Sequence, residues 1–99
     1  MRPIHIADLD KARPVLILTR ELVRPHLTRV TVAPVTRAIR GLSTEVPVGP
    51  SNGLEHPCVV SCDNVVTVPK DTIGHQIGYL LPHQEAILAG AIRAGFDLD

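Results

Sequence analysis

Arg13 and Thr36 are the residues of this chain whose types and spacing point to chemistry. Arg13 stands in Ala12-Arg13-Pro14-Val15-Leu16-Ile17-Leu18-Thr19, and Thr36 ends Arg29-Val30-Thr31-Val32-Ala33-Pro34-Val35-Thr36. A guanidinium is a permanent cation whose planar fork matches phosphate oxygens, and a threonine hydroxyl both donates and accepts. Both runs read as apolar strands, the first opened by the Arg-Pro pair and the second closed by Thr36. As neighbours, a strand start and a strand end meet on one rim of a small barrel. A cation and a hydroxyl on such a rim suit phosphodiester chemistry that uses no metal.

The elements that must hold this pair are short and extended. Nine prolines and seven glycines punctuate β-type runs, the pattern of a small barrel or sandwich. Strands are predicted at Ile4–Asp8, Pro14–Thr19, Arg29–Val35, Thr44–Val48, Pro57–Ser61, Asn64–Val68 and Gln76–Leu80, with a tight polar turn over Asp8–Ala12. Pro47 implies an edge or a strand end. The period then changes: apolar residues at 87, 88, 91 and 92 mark one face of a helix. Pro82 fits its first turn and Gly95 its stop. The expected class is mostly β with one C-terminal helix, and 99 residues are expected to form one domain, 1–99.

The formal net charge of zero hides an asymmetry. Residues 1–40 carry a net +5 and residues 41–99 a net −5, and arginines outnumber lysines by eight to two. Arginine-rich surface suits bidentate phosphate recognition. Arg37 and Arg40, just after Thr36, are candidates for contacts to phosphates flanking a reacting bond, and Lys11 lies in the turn beside Arg13. The only aromatic residues are Tyr79 and Phe96, which argues against a stacking platform built on aromatic rings. No apolar run is long enough to span a membrane, and the amino terminus lacks the apolar core of a signal peptide. The expected location is the cytoplasm.

Cys58 and Cys62 sit four apart on a predicted strand, roughly 13 Å along it and too far apart for a disulfide. They read as two buried thiols, and a zinc site with His56 or His75 lacks zinc-finger spacing. His5, His26, His56, His75 and His83 are the side chains best suited to carry protons near neutral pH, but none stands in a motif.

Taken in order, Arg13-Pro14-Val15-Leu16-Ile17-Leu18, Ala33-Pro34-Val35-Thr36, Val59-Val60-Ser61-Cys62-Asp63-Asn64-Val65-Val66-Thr67-Val68-Pro69 and Ile73-Gly74-His75-Gln76-Ile77-Gly78-Tyr79-Leu80 resemble the MazF/PemK family of toxin endoribonucleases. The likeness covers nearly the whole chain and is closest to mycobacterial members with a short first hairpin. It implies an SH3-like barrel, a homodimer, a cognate antitoxin partner, and sequence-specific cleavage of single-stranded RNA without metal or cofactor. The implied mechanism is attack by the 2′-hydroxyl, leaving a 2′,3′-cyclic phosphate and a 5′-hydroxyl. The implied catalytic pair is Arg13 and Thr36. RNA contacts are expected from Lys11, Arg37, Arg40, Asp63, Asn64, Val66 and Thr67.

Two departures bear on these expectations. Relatives often gate the site with a longer first loop, whereas Asp8-Leu9-Asp10-Lys11-Ala12 leaves it more open. Many relatives also carry a polar or basic residue where Val66 stands, so the recognised RNA sequence does not transfer. A rival reading is a toxin of the same fold that poisons gyrase and cuts nothing. Such a toxin would not require the Arg-Pro and Thr36 features.

Overall fold

Each apolar run between turns becomes a strand, and one sheet takes them all. The computed structural model describes residues 1–98. In chain order the elements are β1 (Pro3–Asp8), β2 (Ala12–Ile17), β3 (Arg29–Thr36), β4 (Glu45–Val48), β5 (Cys58–Ser61), β6 (Val66–Pro69), β7 (Ile73–Tyr79) and α1 (Pro82–Gly95). The strands run in the order β4-β5-β3-β2-β1-β7, with β6 also paired to β3. Every pairing is antiparallel. The sheet curls into a half-barrel, as expected of the small-barrel class, and Pro47 lies in the edge strand β4.

Both faces of the central strands are buried, which is why β2 reads as an unbroken apolar run. Leu16 joins Ile4, Ala33, Val46 and Val60 in a core closed by Leu88 and Ala91 of α1. Val15 and Ile17 point the other way and pack with Ala7, Val30, Val32 and Val68. The alternation follows from the strand period of two.

Several boundaries differ from the sequence expectation. β2 starts two residues before Pro14 because Ala12 pairs with Asp8, so Arg13 is held inside the strand opposite Ala7. β7 begins at Ile73, since Ile73 pairs with Ala7. β6 begins at Val66, and Cys62–Asn64 form a 3-10 turn, so Cys62 lies beyond the strand that carries Cys58. In α1 the buried residues are Gln84, Leu88 and Ala91. Ile87, assigned to the inward face by periodicity, is 44% exposed. The helix also runs through Gly95, and the left-handed residue after it is Asp97 at φ 56. No helix among the described residues is long and apolar enough to cross a membrane.

A buried amide pair fastens α1 to the sheet. Asn52 accepts from the Gly49 N–H and donates to the Tyr79 carbonyl and to Gln84 Oε1. Gln84 accepts from the Leu81 N–H at the helix start and donates to the Pro47 carbonyl. Beside it, Gly53 sits at φ +87, and a Cβ there would lie 2.0 Å from the Ile77 carbonyl oxygen. Asn52→Ala strands several buried polar groups, each costing roughly 1–3 kcal/mol. A thermal melt is expected to fall by more than about 10 °C, given roughly 4–8 °C per kcal/mol for a domain of this size. A melt within about 2 °C of the parent would show that the network contributes little.

Candidate active site

The geometry begins with the register of β2 on β3. Val15 lies opposite Pro34, Leu16 opposite Ala33 and Ile17 opposite Val32. Two further steps along the same register set Arg13 against Thr36. The β2–β3 ladder stops at Val15 and Pro34, while on the other edge of β3 Val35 and Thr36 pair with Val60 and Val59 of β5. Pro34 has no N–H with which to continue the ladder. A cleft of about 390 Å³ lies at this divergence, with Arg13 and Thr36 in its lining.

Arg13 is oriented from within its own hairpin. One Nη lies 3.1 Å and 3.2 Å from the two carboxylate oxygens of Asp10. The pair is partly exposed, so its contribution to stability is small, but it tethers one corner of the guanidinium to the hairpin turn. Arg13 Nε is buried and has no partner among the described residues. Thr36 is oriented too: its Oγ1 accepts the Ala38 N–H at 3.1 Å. With that lone pair occupied, the O–H remains free to donate.

The far wall comes from the 3-10 turn after β5 and the loop after β3. Ser61, Asp63 and Asn64 line the cleft. Asn64 Nδ2 donates to Ser61 Oγ at 2.8 Å, and Asp63 Oδ2 accepts the Thr44 hydroxyl at 2.6 Å. Arg40, Ala38 and Leu42 line it from the loop. Glu45 holds that loop in place. Its carboxylate accepts the consecutive N–H groups of Arg40, Gly41 and Leu42, and Gly41 takes the left-handed conformation this requires at φ +73.

Of the predicted site residues, Arg13, Thr36, Arg40, Asp63 and Asn64 come together in this cleft. Lys11, Arg37, Val66 and Thr67 do not line it. Lys11 is exposed in the β1–β2 turn. Arg37 borders a second cavity behind Pro14. Val66 is 42% exposed on β6, and the Thr67 hydroxyl pairs with that of Thr31 at 2.7 Å. None of the five histidines lines the cleft. Asp10 and Glu45 were not singled out from the sequence. The acid three residues before Arg13 in a tight hairpin was the available signal for Asp10, whereas Glu45 acts through a loop whose shape no local pattern announces.

The cysteines are both free and buried. Burial first, and the neighbouring Asp63 charge second, push the Cys62 thiol up to about 11, so it stays protonated and unreactive at neutral pH. Among the described residues no three His, Cys, Asp or Glu side chains gather as a metal site would need.

A half-barrel with a cation and a hydroxyl in one cleft defines a small-barrel protein with a candidate site for phosphate chemistry, and comparisons with known proteins give its family. The family model of PemK-like, MazF-like toxins of type II toxin–antitoxin systems matches residues 4–96. The chain belongs to that family. It is 70% identical to endoribonuclease MazF3 of Mycobacterium tuberculosis (strain H37Rv), over all of this chain and 96% of that one. Its fold matches the solved M. tuberculosis toxin MazF-mt6 with a TM-score of 0.97 at 69% identity, covering 99% of both chains. A mycobacterial endoribonuclease solved with its cognate antitoxin matches with a TM-score of 0.87 at 28% identity, over 98% of this chain and 93% of that one. The gyrase-poison reading finds no support in these matches.

Proposed function

We propose that this toxin cuts single-stranded RNA at short sequences, without a metal, by attack of a ribose 2′-hydroxyl on the adjacent phosphorus. The O2′–P bond forms as the P–O5′ bond breaks. The proton lost from O2′ is balanced by one gained at O5′, leaving a 2′,3′-cyclic phosphate and a 5′-hydroxyl. The observation that carries the reading is the meeting of Arg13 and Thr36 in one cleft, each with donor capacity unspent on the protein. Negative charge grows on the non-bridging oxygens during attack, and fixed donors aimed there stabilise the transition state. Asp10 orients Arg13, Arg40 faces a flanking phosphate, and Asp63 and Asn64 meet base edges. Lys11 and Arg37 add charge beside the cleft, and Val66 and Thr67 of β6 extend the RNA path beyond it.

The mycobacterial relative solved with its cognate antitoxin favours a toxin–antitoxin pair in which a homodimer of this chain presents a groove to RNA or to an antitoxin, and the expected location of that pair is the cytoplasm. An acidic segment that is disordered when free and folds on binding suits a groove built for phosphates. The test is incubation of the pure protein with a long single-stranded RNA in EDTA, followed by end analysis of the fragments and light scattering of the protein. Cuts at a recurring short sequence with cyclic phosphate ends are expected, from a dimer. Intact RNA in EDTA that is cut once magnesium is added would overturn the metal-free chemistry, and a monomer at micromolar concentration would remove the dimer.

A further inference from the structure

Behind the strand ends lies a second cavity, of about 440 Å³, lined by Pro14, Arg37, Leu54, His56, His75 and Ile77 among others. We propose that it is a subsite for one unstacked nucleobase of the RNA, belonging to a nucleotide that flanks the scissile phosphate. The proposal rests on the reading of the Arg13–Thr36 cleft as an RNA-cleaving site. Arg13 lines the cleft and Pro14, the next residue, lines the cavity; Thr36 and Arg37 divide in the same way. Consecutive residues are about 3.8 Å apart, and along a strand they face opposite sides. The two hollows thus open on opposite faces of one rim, where β2 begins and β3 ends. RNA that passes around this rim with a phosphate on Arg13 and Thr36 turns its adjoining base toward the cavity.

The lining has the chemistry of a base rather than of a phosphate. Val35, Leu54 and Cys58 are buried beneath it, and Ile6 and Ile77 are half-buried. Apolar surface of this kind suits the faces of a heterocycle. The flat polar groups at the mouth are the imidazoles of His56 and His75 and the guanidinium of Arg37, all exposed. These are groups on which unstacked RNA bases stack. Glu55 also stands at the mouth, its carboxylate 4.0 Å from His56 Nε2. A carboxylate repels phosphate but accepts from the amino edge of a base. Neither Tyr79 nor Phe96 takes part, so imidazole and guanidinium here do what aromatic rings do elsewhere.

The test begins by mapping a cut in a long single-stranded RNA and making a short oligonucleotide around it. Two further versions each lack one of the bases flanking the cut. The double variant His56→Ala/His75→Ala changes two exposed side chains outside the catalytic cleft, and circular dichroism checks its fold. On the intact oligonucleotide its KM is expected to rise about tenfold with kcat nearly unchanged, the scale of one lost base stack. On one of the two abasic oligonucleotides, wild type should fall to the level of the variant and the two proteins become equal. His56→Tyr keeps a flat ring and should hold KM within about twofold of wild type. If the double variant does not fold, the single His→Ala variants carry the same comparison. A variant that matches wild type on the intact substrate, or loses the same factor on all three, overturns the subsite. Wild-type protein that cuts no RNA overturns the cleavage reading itself, a separate failure.

Discussion

Arg13→Ala should lower RNA cleavage by at least about a hundredfold while leaving the fold intact, the loss typical of one preorganised transition-state donor. The expectation follows from where the side chain ends. Its guanidinium is partly exposed at the rim of the cleft, so little core packing is lost. Its nearest charged partner, Asp10, lies in an exposed turn and tolerates solvation. Arg13→Lys should rescue only part of the activity, because an ammonium keeps the charge but not the planar fork. Asp10→Asn separates orientation from charge. It leaves the arginine in place and weakens its clamp, so kcat should drop with KM nearly held. Single-turnover cleavage of one defined oligonucleotide measures all three. Near-normal cleavage by folded Arg13→Ala would remove the residue from the mechanism.

The larger effect should come from the substrate. An oligonucleotide with one 2′-deoxy or 2′-O-methyl nucleotide at the scissile position should resist cleavage altogether, whether or not EDTA is present. In the proposed reaction the attacking oxygen belongs to the RNA, so no protein residue can stand in for it. The modified strand should still bind and should compete with unmodified RNA. Its affinity should weaken with salt as phosphate contacts are screened. Cleavage of the 2′-deoxy strand, or of single-stranded DNA, would mean that water or another nucleophile attacks phosphorus.

Much of the frame was legible because burial on both faces and turn chemistry leave strong local marks. The run Val15-Leu16-Ile17 read as an apolar strand, and Pro47 marked an edge or a strand end. Arg13 and Thr36 were visible because each stands where an apolar run meets polar residues. The rest depended on distance in space. Cys62 read as sharing a strand with Cys58 and Asn64 as opening the next one, yet the chain turns over Cys62–Asn64 once β5 ends at Ser61. Ile87 fits the helical stripe, but Gln84 takes the inward position because Asn52 waits for it across the core. Glu45 is an ordinary acid in sequence, and only the curl of residues 40–42 around its carboxylate shows what it does.

The pairing of β1 with β7 sets an order of events in synthesis. Pro3 lies opposite Tyr79 and Ala7 opposite Ile73, so β1 leaves the ribosome well before the strand it pairs with. At roughly 5–20 residues per second, Arg13 emerges seconds before the strand that covers the outer edge of the β1–β2 hairpin. Until then β1 offers a bare row of N–H and C=O groups, the kind of edge that recruits other chains. The half-barrel is therefore incomplete until Ile73–Tyr79 emerge and pair with β1, just before α1 is made.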